Sequence, residues 1–297
     1  MRRRRGALAL LLCLAAGGAA AQLERAHSRV IFQQRSLYRN VLVLEGDGQR
    51  CMTFGRYHGE QTCVLSAEPD RMVLSYTRAL LAAFYARPAP RRVLIVGLGG
   101  GVLPRAVRTL YPHADIDTVE LDPAVAAVAR SHFGFAPDAR SRVFIDDGRV
   151  FVRKQRRAGA RYDVVLVDAF EKDYIPEHML SREFLAELKG VLAPRGVVAA
   201  NTFARRRLSP HEGATYRAVF GPLYALDMDS GNRILLAGRD GLPALAALRA
   251  NAAALAPALA ALGVDAPALA GRIGASAPEP GARVLTDQFS PANLLLR

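Results

Sequence analysis

Four stretches of the sequence place glycines or acids where a bound small molecule would need them. The first is Gly97-Leu98-Gly99-Gly100-Gly101, directly after the apolar run VLIV. Glycines let the backbone turn tightly and approach a ligand with no Cβ in the way. Glu120 follows 23 residues after Gly97, in VELD. An acid about 20 residues past such a turn accepts hydrogen bonds from ribose hydroxyls. Asp146 and Asp147 then stand before Gly148, and Asp168 closes the run VVLV. The glycine turn lacks the Lys-Ser/Thr pair of a phosphate loop, which argues against ATP. A ring of carboxylates repels phosphates and suits a cation. A sulfonium nucleoside, S-adenosylmethionine, therefore fits better than NAD. Asp122, just before Pro123, reads instead as a helix cap.

Transfer from a sulfonium is an in-line displacement, so the two reactants must be aligned and a proton removed. An amine nucleophile is protonated at neutral pH and needs a carboxylate base in a closed site. Asp168 is the expected base. Tyr174, Pro176 and His178, in EKDYIPEHML, would line a lid, with His178 preferred as a surface residue at a helix end and a base as its second reading. His58, His113, His132 and His211 lack metal spacing, and no metal is expected.

These residues need a frame. From Arg92 the sequence alternates buried strand and helix five times with short connections: RRVLIV, LPRAVRTLY, ADIDTVELD, PAVAAVARSHF, SRVFIDDG, RVFVRKQRR, YDVVLVDAF, SREFLAELKGVL and GVVAANTF. That pattern predicts a parallel sheet covered by helices on both faces, and ligands bind beyond the carboxyl ends of such strands. A helix over TYRAVFGPLYAL and a strand over NRILLAG complete it. Residues 28–65 read as β, and 69–86 as a helix with Pro69 at its start. Residues 243–270, rich in Ala and Leu, read as a helix pair broken by Pro257. SAPEPG is a linker, and VLTDQFSPANLL a short tail that could dock back. The expected division is a leader (1–21), a β-hairpin unit with a helix (22–88), a nucleoside-binding domain (89–240), and a helical extension with a tail (241–297).

The leader carries four arginines, an apolar stretch and Ala19-Ala20-Ala21. This is the pattern of a secretory signal peptide, so export, to a periplasm, is expected, with an uncleaved anchor or a cytoplasmic chain as alternatives. No apolar run reaches a membrane span of about 20 residues. The net charge of +13 comes almost wholly from arginine, since only Lys154, Lys172 and Lys189 are lysine. Arg153, Lys154, Arg156, Arg157 and Arg161 cluster, as do Arg205, Arg206 and Arg207, yet no aromatic ladder interleaves them, which argues against nucleic acid. Cys51 and Cys63 would face each other in a hairpin centred on Tyr57. Two free, buried thiols are the preferred reading, and a bridge in an oxidising compartment the second.

VLIVGLGGG…VELDPAV…IDDGRVF…YDVVLVDAF, preceded by a β-rich segment, resembles the spermidine synthase (polyamine aminopropyltransferase) family over residues 38–203. The VLTD tail resembles a spermidine-synthase-like branch of it. The resemblance implies a Rossmann-like class I S-adenosylmethionine-dependent methyltransferase fold with a small N-terminal β domain, an α/β protein. It implies decarboxylated S-adenosylmethionine as aminopropyl donor and a small amine as acceptor. By position Glu120 would hold the ribose, Asp147 with Gly148 the adenine, and Gly97, Gly99 and Gly101 the donor's cradle. Gln61 resembles a donor-contacting glutamine and Tyr76 a surviving acceptor contact, although core packing is the preferred reading of Tyr76. Asp168 would bind and deprotonate the amine, with Glu171 or Asp173 as second acid and Tyr174 beside them. The family carries an acid where this chain has Gly100, which removes a repulsion toward intact S-adenosylmethionine. Methyl transfer is thus the alternative reading, and an exported, non-catalytic nucleoside- or polyamine-binding protein a third. A homodimer is kept open.

Overall fold

The computed structural model describes residues 28–55, 59–169, 176–204 and 207–295. Alternating apolar residues build four N-terminal strands: β1 (Arg29–Arg35), β2 (Asn40–Gly46), β3 (Gln49–Phe54) and β4 (Glu60–Leu65), antiparallel in that order. Val41, Val43, Met52 and Phe54 join one core with the helices that follow. Asp47 and Gly48 both take positive φ in the two-residue turn between β2 and β3, as a hairpin with right-handed strand twist requires. Cys51 lies directly opposite Cys63 on β4, and the two are joined by a disulfide. The preference for free thiols is overturned, because the register brings the two sulfurs together. The pairing shifts after Met52, and Tyr57 itself lies outside the described residues.

The helix expected over 69–86 is two short ones, α1 (Ser75–Leu80) and α2 (Ala83–Ala86). Residues 69–74 stay irregular. The Met72 N–H donates to the Leu262 carbonyl at 2.9 Å instead of starting a helix, which ties this segment to the C-terminal extension.

The strand and helix alternation then follows the sequence reading: β5 (Arg92–Val96), α3 (Val102–Leu110), β6 (Asp115–Glu120), α4 (Pro123–His132), β7 (Ser141–Ile145), α5 (Gly148–Arg157), β8 (Tyr162–Val167), α6 (Arg182–Val191) and β9 (Leu192–Phe203). After α7 (Ser209–Phe220) come β10 (Tyr224–Asp227) and β11 (Asn232–Gly238). Gly221-Pro222 ends α7, so Tyr224–Asp227 is a strand and not the end of the expected helix. The extension holds α8 (Leu245–Ala260), α9 (Ala266–Arg272) and the two-residue β12 (Gly274–Ala275), and the tail ends in α10 (Ala292–Leu295). Pro257 lies inside α8 and does not break it. It stands in the last turns, where one lost N–H is outweighed by burying Leu248, Ala252 and Leu259.

The large sheet runs β12-β10-β11-β9-β8-β5-β6-β7, parallel from β9 onward. Chain order reverses at β5, which has β6 on one side and β8 on the other. The carboxyl ends of β5 and β8 therefore meet at the switch point, where such sheets bind ligands. Leu94, Val165 and Val167 pack into one face's core, and Val93, Ile95 and Val164 into the other's. None of the described helices is long and apolar enough to cross a membrane.

Candidate active site

Gly97, Leu98 and Gly99 after β5, Glu120 and Leu121 at the end of β6, Asp147 and Gly148 after β7, and Asp168 and Ala169 after β8 line one cavity. The N-terminal unit closes it with Arg39, Phe54, Gln61, Thr62, Tyr76 and Thr77, while Pro176, His178 and Met179 form the remaining wall. The empty space, including its mouth, is about 1060 Å³. The rim predicted from the sequence is thus assembled, and Gln61 and Tyr76 stand on it. Glu171, Asp173 and Tyr174 lie outside the described residues.

The glycine turn is shaped by close approach. Gly97 has φ +100°, and a Cβ there would lie 2.1 Å from the Asp168 carbonyl oxygen. No other residue fits where β5 and β8 converge. Gly99 has φ +52°, and its Cβ would lie 2.7 Å from Thr62 Oγ1. The Gly100 N–H donates to that same Oγ1 at 2.9 Å, which ties the hairpin unit to the turn. Two expectations change here. Gly100 is not among the cavity-lining residues, and a side chain on it would run into Thr62 and Phe133. A Cβ at Gly99 or at Gly100 would meet Thr62, so neither position takes a side chain unless Thr62 gives way. Gly101 does not line the cavity either. It starts α3 against Phe135, 2.5 Å from where its Cβ would be.

Glu120 is fixed by two backbone donors: Leu98 N–H to Oε2 at 3.0 Å and Asp122 N–H to Oε1 at 2.9 Å. Burial nevertheless pushes its carboxyl above the usual range, against the pull of those amides and of Arg39. Asp122 caps α4 through Ala124 N–H at 2.9 Å, as its place before Pro123 predicts, and its other oxygen accepts the Ser36 hydroxyl from the β1–β2 turn. Asp147 caps α5 through Val150 N–H, and its Oδ2 lies 2.9 Å from His178 Nε2. His178, expected as a plain surface residue, is therefore half-exposed but faces the cavity. Asp146 turns away and pairs with Lys154 at 2.7 Å.

Asp168 is a second acid of the rim whose carboxyl is pushed up. Burial raises its carboxyl from 3.8 to about 6, Glu120 adds to the rise, and a hydrogen bond from Asn201 opposes it. Asn201 Nδ2 donates to Asp168 Oδ1 at 3.0 Å, and Asn201 Oδ1 accepts from Asn232 at 2.9 Å, which fixes the amide's orientation. Tyr76 donates its hydroxyl to the Gln61 carbonyl at 3.1 Å. Burial and the nearby Asp168 push its phenol up, so it stays a donor at neutral pH. Tyr76 packs on the core, as preferred, and also lines the cavity. Thr62, Arg39 and Asn201 were not foreseen. Asn201 was findable, since it stands near the carboxyl end of the fifth parallel strand. Among the described residues, one grouping brings possible metal ligands together, Cys51, Glu60 and Cys63, and its cysteines are bridged.

A model of the spermine/spermidine synthase domain matches residues 74–208. The polyamine aminopropyltransferase of Vibrio vulnificus is 43% identical over 274 residues, which cover 90% of this chain and 92% of that relative. The chain belongs to the spermidine synthase family. A second group of relatives matches less than half of this family member. The human eEF1A lysine and N-terminal methyltransferase is 37% identical over 145 residues, 46% of this chain and 21% of that protein. The structure of human methyltransferase-like protein 13 in complex with SAH superposes with a TM-score of 0.58 at 30% identity, covering 63% of this chain and 93% of that one. A probable spermidine synthase from Corynebacterium glutamicum gives a TM-score of 0.68 at 20% identity over 87% of this chain and 97% of that one, a likeness of fold. The spermidine-synthase-like frame is thus a class I methyltransferase fold with an added N-terminal sheet.

Proposed function

We propose that this spermidine synthase relative transfers an aminopropyl group from decarboxylated S-adenosylmethionine to a polyamine-type amine. The observation that carries the reading is Asp168, a half-buried acid raised to about 6 at the sheet's switch point, inside a cavity with two further carboxylates. The residues fit the donor. The glycine turn offers backbone that a Cβ would obstruct, Glu120 stands ready for ribose hydroxyls, and Asp147 for the adenine amine. Gln61 lies on the same wall.

Asp168 accepts the proton of the incoming ammonium. With a pKa of about 6 it is about ten times more ionised than protonated at neutral pH, yet basic enough to hold a proton as the reaction proceeds. The freed amine nitrogen attacks the carbon beside the sulfonium. That carbon–sulfur bond breaks with its electron pair on sulfur, which leaves a neutral thioether, methylthioadenosine. Asn201 keeps the carboxyl oriented, and Tyr76 offers a hydroxyl near it. Glu171 or Asp173 would supply the second acid for the acceptor, beside Tyr174.

One alternative has its own support. Gly100, where the family carries an acid, has no side chain to repel a donor carboxylate, and a stretch of 145 residues is 37% identical to a methyltransferase. Methyl transfer from intact S-adenosylmethionine is the second reading. We also place the chain outside the cytoplasm, with the leader pattern at 1–21 and the Cys51–Cys63 bridge in support.

Product identity separates these readings. With putrescine and each donor in turn, aminopropyl transfer releases methylthioadenosine and methyl transfer releases S-adenosylhomocysteine. Binding of both donors with release of neither product contradicts a transferase and leaves the binding protein.

A further inference from the structure

The cavity wall formed by His178 and Met179 belongs to a single 3₁₀ turn, Glu177–Met179, which follows Pro176. Such a short turn has little hydrogen bonding of its own. It is held from behind by groups that do not line the cavity.

Arg149 is the hub. It follows Gly148 on α5, is 5% exposed, and uses all five of its N–H donors. Nη1 donates to the His178 carbonyl at 3.0 Å and to Asp287 Oδ1 at 2.6 Å. Nη2 donates to Asp287 Oδ2 at 2.7 Å and to Glu187 Oε1 at 3.0 Å, and Nε to Glu187 Oε2 at 2.9 Å. One guanidinium thus joins α5, α6, the turn and the C-terminal tail. Two carboxylates against one cation, each held bidentately, need the planar fork of arginine. The guanidinium holds the Asp287 carboxyl down at about 2, so the pair stays charged throughout the neutral range.

The tail grips the same turn independently. Ser290 Oγ donates to the Glu177 carbonyl at 3.2 Å, and the Asn293 amide Nδ2 to Glu177 Oε1 at 3.2 Å. The Arg182 N–H donates to the Leu285 carbonyl at 2.8 Å, and the Asp287 N–H to Glu183 at 3.0 Å. Leu285 and Ala292 pack with Leu180 and Leu208 in a small core beneath.

We propose that Arg149 and Asp287 are a positioning pair through which the C-terminal tail fixes the turn presenting His178 and Met179 to the nucleoside cavity. This rests on the transferase reading above. Neither residue touches the donor. Their effect passes through the His178 backbone, which sets where that ring meets Asp147 and where Met179 meets Gly148. Adenine binding at Asp147 must share or displace the His178 contact, so the turn's backbone needs an anchor that does not move with the ring.

The test uses the full chain with Asp287→Asn, Asp287→Glu and Arg149→Lys. Hydrogen exchange is followed by peptide, methylthioadenosine binding by calorimetry, and turnover with the donor that the parent uses. The expected result for Asp287→Asn is exchange accelerated about tenfold or more within residues 177–185, with β5 and β6 unchanged. Turnover falls about 10- to 100-fold, in kcat more than KM, as misplacement near a reacting centre does. Methylthioadenosine affinity changes less than about threefold, and Asp287→Glu restores part of the loss. Unchanged exchange in 177–185 overturns the proposal, as does acceleration spread evenly over the whole sheet. Should the parent release neither product, the transferase reading fails by itself, and the exchange pattern still decides the clamp.

Discussion

Asp168→Asn sets the energetic cost of the base against its use. Asparagine keeps the side-chain shape and an oxygen for Asn201 Nδ2, now 3.0 Å from Asp168 Oδ1. It cannot take a proton from an ammonium, so turnover should fall by about 10²- to 10⁴-fold. Stability should move the other way. The folded chain holds the Asp168 proton more tightly than the unfolded chain does, because burial raises the carboxyl from 3.8 to about 6. A raised folded pKa gives stability that is complete below the unfolded value and is lost as pH climbs through the folded one. At about 1.4 kcal/mol for each pH unit, the loss is about 3 kcal/mol by neutral pH. Asparagine escapes that loss. In a chain of this size about 1 kcal/mol moves Tm by about 2–4 °C, so the variant should melt higher than the parent by up to about 10 °C at neutral pH. The gap should close toward about pH 4. Thermal melts across the acid range, paired with the product assay, read both effects. A variant that melts no higher than the parent at neutral pH, or a gap that ignores pH, refutes the buried-acid argument. A variant that turns over normally refutes the base.

Three further outcomes follow from single residues. Glu212 on α7 is 1% exposed, and burial raises it to about 8 against the pull of the Phe203 backbone and Arg233; the parent should lose stability as pH rises from about 5 to about 8, and Glu212→Gln should flatten that decline in denaturant titrations. Gly97→Ala puts a Cβ 2.1 Å from the Asp168 carbonyl at φ +100°, so calorimetry should find donor binding lost and melting should show a cost of about 1–3 kcal/mol or more. Cys51→Ser with Cys63→Ser should cost about 2–3 kcal/mol for a loop with a sequence separation of 12, and a melt equal to the parent's under non-reducing conditions would show the bridge to be idle.

Much of this site was readable from residue order alone. The rule that ligands sit beyond the carboxyl ends of parallel strands needed only VLIV, TVE, VFI and VVLV to bring Gly97, Glu120, Asp147 and Asp168 to one rim. Which glycine faces the ligand was not readable, because it depends on backbone dihedrals; Gly100 points at Phe133 while Gly99 lines the cavity. Tyr224–Leu226 reads as helical because its apolar residues continue those of α7, whereas pairing with β11 and β12 makes Tyr224–Asp227 a strand. Pro257 looked like a helix breaker because propensity was weighed without the packing of Leu248, Ala252 and Leu259. The Arg149 hub joins residues 138 positions apart in the chain, a distance over which spacing carries no signal. His178 reads as a surface residue in the sequence because its partner, Asp147, belongs to another element.

The central claim is that the glycine turn and its carboxylates grip a positively charged nucleoside. Calorimetric titration of the parent, Glu120→Gln and Asp147→Ala with decarboxylated S-adenosylmethionine, intact S-adenosylmethionine and adenosine tests it most directly. The account predicts that the sulfonium ligands bind at least about tenfold tighter than adenosine, and that either substitution weakens all three. Equal affinity for adenosine and the sulfoniums, or binding indifferent to Glu120 and Asp147, would contradict it.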